Sequence, residues 1–233
     1  GAHNPAAVLA PSCEAFDKLR EWADGRLRLL TIAAEAPGAD QLARHAVACG
    51  VAVSCGHHLA GPEDLARLAE AGATALTHLG NGMPNQVHRH DNPLLAGLAE
   101  DRLKILFIPD GHHLPCHVLK VFARAAGVER LIATTDAASA AGLPPGRYDV
   151  LGNHAVLDPD GRLHNPEKQC LVGSSATMLE CMNVLHALGC FSLDDLLRIG
   201  FYNPLQLIGT DPAEIPSCKH GITFAPDAGF ALS

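Results

Sequence analysis

The chain has 233 residues, of which 48% are hydrophobic, 18% charged and 4% aromatic, with a formal net charge of -8. This is the make-up of a globular protein with a sizeable core. No apolar run reaches the roughly 18 residues of a membrane span, and no Lys/Arg cluster offers the surface that nucleic acid or an anionic membrane requires. Nothing at the start resembles a signal peptide, so the expected location is cytoplasmic. The eight cysteines form no CxxC pair and read as reduced structural thiols, with Cys181 and Cys190 expected to fill helix packing.

Apolar runs alternate with amphipathic segments, the pattern of βα units around a parallel sheet. Five strands are predicted, at 28–33, 51–55, 73–77, 104–109 and 130–135. The intervening helices carry ordinary signals: "GADQLARHAVACG" stops at Gly50, "GPEDLARLAEAG" starts at Pro62 and stops at Gly72, and "LPCHVLKVFARAAG" runs from Pro115 to Gly127. A Gly/Pro-rich stretch follows, about 143–170, read as a long loop carrying a hairpin around Tyr148 to Leu157, with a turn at Asp158 to Gly161. Two helices come next. The first has Ser174 or Ser175 as its expected N-cap; the second is opened by Ser192 and closed by Pro204. The last residues read as strand, turn, strand.

Eight βα units in about 250 residues make a complete (β/α)8 TIM barrel. Five such units predict an α/β fold that is the C-terminal part of one, residues 1–212, with 213–233 as the start of a small β-sandwich domain. A larger parent protein, or an abbreviated relative of one, is the expectation.

Each predicted strand ends in a residue able to bind metal, phosphate or protons: Glu35, His57 with His58, His78, Asp110 with His112 and His113, and Asp136. In βα barrels the strand C-termini form the active-site mouth. His57 and His78 are one strand-helix-strand repeat apart, so their imidazoles can share one metal ion. The alternative is that such histidines merely bind loop backbone. Asp136 suits a general base beside a dication, or else caps the next turn. In "HLGNGMPNQVHRH", Asn81 and Arg89 could meet an anionic oxygen, Arg89 through its planar fork.

Together and in order, "GAHNP", "SCGHH", "THLGNGMP", "PDGHH", "TTDAASAAG", "LVGSSATM" and "YNPLQLIG" resemble the motifs of N-acetylglucosamine-6-phosphate deacetylases of the amidohydrolase superfamily. The resemblance implies His57 and His78 as ligands of a divalent metal, zinc, iron or another such ion. It implies Asp136 as the catalytic carboxylate and His3 as the group polarising the acetyl carbonyl, with Ala2 beside it. Asn81, Gly82, Arg89, Gly111, His112 and His113 match positions that hold the sugar phosphate, and Leu171, Val172 and Gly173 match a further substrate-contacting strip. The implied partner is a small amino-sugar phosphate, and the arginine implies a homodimer. The family's third protein ligand, a glutamate ahead of "GAHNP", is expected upstream of Gly1; Glu35 matches a family glutamate that neighbours the site and is the weaker candidate. The rival expectations are a deacetylase for N-acetylgalactosamine 6-phosphate or another N-acetyl sugar, and a non-catalytic sugar-phosphate binder with an incomplete metal site.

Overall fold

The computed structural model describes residues 2–216 and 218–233. The chain divides into two compact units, 3–106 and 107–233, the second including Ala2. In the first unit, helix α1 (Cys13–Trp22) precedes three βα units: β1 (Leu29–Ile32) with α2 (Ala39–Ala48), β2 (Ala52–Cys55) with α3 (Pro62–Glu70), and β3 (Ala75–Leu76) with α4 (Pro93–Ala99). Strand β4 (Lys104–Phe107) begins here. The strands are parallel, in register Leu29↔Ala52, Ser54↔Ala75 and Ala75↔Lys104. Local chemistry starts the helices. Pro62 opens α3 with Glu63 and Asp64 in its first turn, and the Asn92 side chain accepts from the Leu95 N–H to open α4. Leu42, Val53, Leu65, Leu68, Leu76, Leu103 and Ile105 are buried as the core.

In the second unit, Phe107 accepts from the Thr134 N–H, α5 (Cys116–Ala126) follows β4, and β5 (Leu131–Ala133) leads into an antiparallel sheet. The parallel sheet runs in the order β1-β2-β3-β4-β5, which is the expected α/β class with five βα units in sequence. The expected hairpin is larger than its sequence suggests. Strands β6 (Gly146–Val150), β7 (Asn153–Leu157), β8 (Leu163–Asn165) and β9 (Cys170–Leu171) form a four-stranded meander. Its buried face is Val150, Ala155, Leu157, Leu163 and Val172; β8 and β9 are too short for their alternation to register as strands.

Helix α6 (Met178–Ala187) corrects the expected cap. Thr177, not Ser174 or Ser175, is the N-cap, in a capping box with Glu180. The serines are occupied elsewhere, Ser174 with Asp110 and Ser175 with the Gly161 carbonyl. Helix α7 (Leu193–Leu197) opens at Ser192 as expected. Pro204 does not close it: a π-helical turn, Arg198–Tyr202, runs on into α8 (Asn203–Leu207), where the proline occupies the first turn and needs no N–H donor. Cys181 is buried in α6, whereas Cys190 is exposed and fills no packing. Strands β10 (Ile222–Ala225) and β11 (Gly229–Leu232) make the terminal hairpin, docked on α6 by reciprocal hydrogen bonds between Asn183 and Phe230. Among the described residues, no helix is long and apolar enough to cross a membrane.

Candidate metal and substrate site

The first unit carries the histidine pair. His57 follows β2 and His78 follows β3, and their Nε2 atoms lie 2.8 Å apart, one ring donating and the other accepting. Both residues have left-handed backbones, φ 52 and 33, which turn the chain sharply off the strand end and aim the rings at one point. Burial, then the neighbouring His78 and His3 rings, push His57 down to about 3. A neutral imidazole with a free lone pair is the form that ligates metal. His3 stacks on His57 with ring centroids 4.0 Å apart.

The neighbouring small residues make this approach possible. A Cβ on Gly82, itself at φ +70, would stand 3.0 Å from His57 Nδ1 and 3.2 Å from His78 Cε1. A Cβ on Gly56 would stand 2.6 Å from Thr77 Cβ. Thr77 Oγ1 bonds to Ser54 Oγ at 2.6 Å and to Thr31 Oγ1 at 2.9 Å, a hydroxyl chain across β1, β2 and the end of β3. Sequence reasoning missed Thr31, Ser54 and Thr77, because isolated hydroxyls in apolar strands read as strand fillers.

Two nitrogens on a tetrahedral ion with bonds of about 2.0–2.1 Å lie about 3.3 Å apart. The pair therefore fits a divalent ion once it opens by about half an ångström. Glu35 does not join it: its Oε1 accepts from the Leu59 N–H at 2.8 Å and so fixes the loop after His58. Among the described residues, no third His, Cys, Asp or Glu donor lies with both histidines inside 4.8 Å. His58 is buried, and its Nδ1 accepts from the Ala60 N–H, away from the pair. Burial also lowers its pKa, against the raising effect of Glu35 and Asp64. Asn81 lines the same small cleft as His57, its Nδ2 donating to the His78 carbonyl. Arg89 is exposed on the loop beyond.

The second unit carries the carboxylates Asp110 and Asp136. Asp136 is exposed at φ 51, just after β5. Its backbone is held by the strip after β9: Ser174 N–H donates to the Asp136 carbonyl at 2.8 Å, and Ala138 N–H donates to the Ser174 carbonyl at 2.9 Å. Gly173 must be glycine for this approach, since its Cβ would lie 2.8 Å from the Asp136 oxygen and its φ is +69. Leu171 ends β9 and Val172 is buried beneath it.

Asp110 organises the turn that holds Gly111, His112 and His113. Its Oδ1 accepts from the His112 and His113 N–H groups; its Oδ2 accepts from the Ser174 hydroxyl at 2.7 Å and contacts His113 Nδ1 at 2.8 Å. Burial alone would raise the Asp110 pKa, but the His113 contacts and the Ser174 hydroxyl hold it well below the usual carboxylate range. With Nδ1 engaged, His113 has Nε2 left for a ligand. His112 Nε2 lies 3.1 Å from the Asp160 carbonyl. The contribution of Ser174 was not legible, because its serine pair reads as a helix cap.

Ala2 packs against the meander core, and its carbonyl accepts from Asn153 Nδ2. His3 is exposed, and Gly1 of the same motif lies outside the described residues.

No family model matches the chain. It is 29% identical over 211 residues, 91% of this chain, to the N-acetylgalactosamine-6-phosphate deacetylase of Escherichia coli O157:H7, of which it spans 55%. It is 32% identical over 241 aligned positions, 100% of this chain, to human N-acetylglucosamine-6-phosphate deacetylase, of which it spans 57%. The chain thus spans little more than half the length of these relatives. Among solved structures, N-acetyl-D-glucosamine-6-phosphate deacetylase of Mycobacterium smegmatis aligns with a TM-score of 0.87 and 27% identity, over 99% of this chain and 62% of that one. A mutant of that enzyme, in complex with N-acetyl-D-glucosamine-6-phosphate, aligns with a TM-score of 0.82 and 28% identity, over 90% of this chain and 56% of that one. The resemblance carried by the motifs therefore extends to sequence and fold alike, and the chain is a relative of the N-acetylglucosamine-6-phosphate deacetylases.

Proposed function

We propose that the protein hydrolyses the acetamide of N-acetylglucosamine 6-phosphate, giving acetate and glucosamine 6-phosphate. The observation that carries this reading is the convergence of two imidazole nitrogens, from His57 and His78, at neighbouring strand ends. A divalent ion held by this pair would supply Lewis acidity, polarising the acetyl carbonyl and lowering the pKa of water. Zinc suits the imidazole donors, as does iron.

The chain's own residues perform the remaining work. The Asp136 carboxylate takes a proton from the attacking water and hands it to the departing amide nitrogen. His3 donates a hydrogen bond to the carbonyl oxygen as charge develops there. Asn81, Gly82 and the Gly111–His113 turn hold the sugar phosphate, whose oxygens the guanidinium fork of Arg89 from a second copy of the chain binds. Leu171, Val172, Gly173 and Ala2 shape the sugar's surroundings. We also read the protein as a cytoplasmic homodimer in which Arg89 serves the partner's substrate, and 213–233 as strands of a small β domain.

Acetate release from N-acetylglucosamine 6-phosphate, lost on chelation and restored by added metal, is the expected result; no metal-dependent release from any N-acetyl hexosamine phosphate sinks the reading. The similarity to the Escherichia coli enzyme favours a second substrate, N-acetylgalactosamine 6-phosphate. Comparing kcat/KM for the two epimers decides between them.

A further inference from the structure

Away from the strand ends, the outer helices of the first unit bring together three side chains of a different kind. His45 and Cys49 are four residues apart, in α2 and at its C-cap, and so project from one face. Asp17 meets them from α1, its Oδ1 2.9 Å from His45 Nε2. One ligand atom from each of Asp17, His45 and Cys49 lies within 4.8 Å of the other two. All three are partly or fully exposed, with room for a water ligand.

We propose that Asp17, His45 and Cys49 form a second, surface binding site for a divalent transition-metal ion of the zinc class, independent of the His57–His78 pair. The donors are one carboxylate oxygen, one imidazole nitrogen and one thiolate sulfur. That mixed set favours Zn2+ or Co2+ over Mg2+ or Ca2+, which prefer oxygen alone. On a tetrahedral ion with bonds of about 2.0–2.3 Å, such donors stand about 3.3–3.6 Å apart. The 2.9 Å contact between Asp17 and His45 opens by about half an ångström to admit the ion, and Cys49 approaches from within 4.8 Å.

The surroundings support the arrangement. Buried Phe16 packs edge-on to the His45 ring, centroids 5.5 Å apart, and limits its swing. Arg20 Nη1 stands 3.9 Å from Asp17 Oδ1, close enough to steady the carboxylate while leaving its second oxygen for the ion. On binding, the Cys49 thiol releases its proton to solvent, so thiolate and carboxylate together neutralise the dication.

The test is a Co2+ titration of the metal-free protein carrying His57→Ala and His78→Ala, which removes the strand-end pair. A thiolate-to-cobalt charge-transfer band in the near ultraviolet is expected, saturating at one equivalent and displaced by Zn2+. Cys49→Ser should abolish the band, and His45→Ala should weaken cobalt binding at least tenfold. The same comparison in protein retaining both histidines guards against misfolding of the double variant. Absence of the band in both backgrounds, or its survival in Cys49→Ser, overturns the proposal and leaves a surface His–Asp pair with a bystander thiol.

Discussion

Among the described residues, three of the six non-glycine residues with left-handed backbones are His57, His78 and Asp136, for which the family resemblance implies metal and proton chemistry. Such conformations cost about 1–3 kcal/mol each and cluster where a site must aim a side chain. Asn accepts the left-handed region as readily as Asp, so Asp136→Asn should fold normally and bind metal with unchanged stoichiometry. Its kcat should fall by about 10²–10⁴-fold, as expected for a lost general base; acetate release and elemental analysis measure the two effects. His57→Ala should remove both metal and activity. His58→Ala should keep the metal and instead cost about 1–3 kcal/mol in urea denaturation, because the buried Ala60 N–H loses its acceptor. Gly82→Ala presses a methyl against the His57 and His78 rings at a positive φ, so the affinity of the proposed site for metal should drop even though neither histidine is changed. These contrasts were partly legible in advance: the 21-residue spacing separates His57 from His58, whereas the glycine's role depends on a contact that spacing does not encode.

At the scale of elements, βα alternation located all five parallel strands, because short apolar runs between amphipathic helices are periodic over many residues. Legibility failed where local rules compete. The sequence around Ser174 and Ser175 offers two good cap residues, yet the capping box forms at Thr177, since only that residue has Glu180 three positions on. Thr177→Ala should therefore cost about 1 kcal/mol in thermal or urea unfolding, whereas Ser175→Ala should leave α6 intact and loosen its tie to Gly161. In sequence the meander reads as a single hairpin, because β9 is only two residues long and its partner β8 three. In sequence Pro204 reads as a stop because proline breaks a helix interior; a π turn resets the hydrogen-bond register just before it, and the proline becomes a starting residue.

For the whole molecule, Asp110 links the hydrogen-bonded turn at Gly111–His113 to acid stability. Its folded pKa lies below the ordinary carboxylate value near 3.9. The folded state therefore binds fewer protons than the unfolded state as pH falls through that range. The resulting stability is fully present above about pH 4 and is lost on further acidification. Asp110→Asn should lower the urea midpoint at pH 7, with the gap to the parent protein narrowing toward pH 3. A gap that stays constant with pH would assign the loss to the hydrogen bonds of the turn rather than to the charge. Over 90% of the chain aligns with relatives named as deacetylases of 6-phosphorylated N-acetyl sugars, an agreement that no single residue conveys.

The left-handed turns at His57, His78 and Asp136 also constrain how these positions can vary. Branched residues such as Val, Ile and Thr are penalised there by the backbone itself, while Asn, Asp, His and Gly are tolerated. In a saturation library sorted only for folded protein, with no selection for catalysis, these three positions should already be depleted of branched residues. The substitutions most readily admitted would be Asn and Gly, which leave the turn intact while silencing the chemistry. Inactive variants of this fold should therefore arise most easily as well-folded proteins.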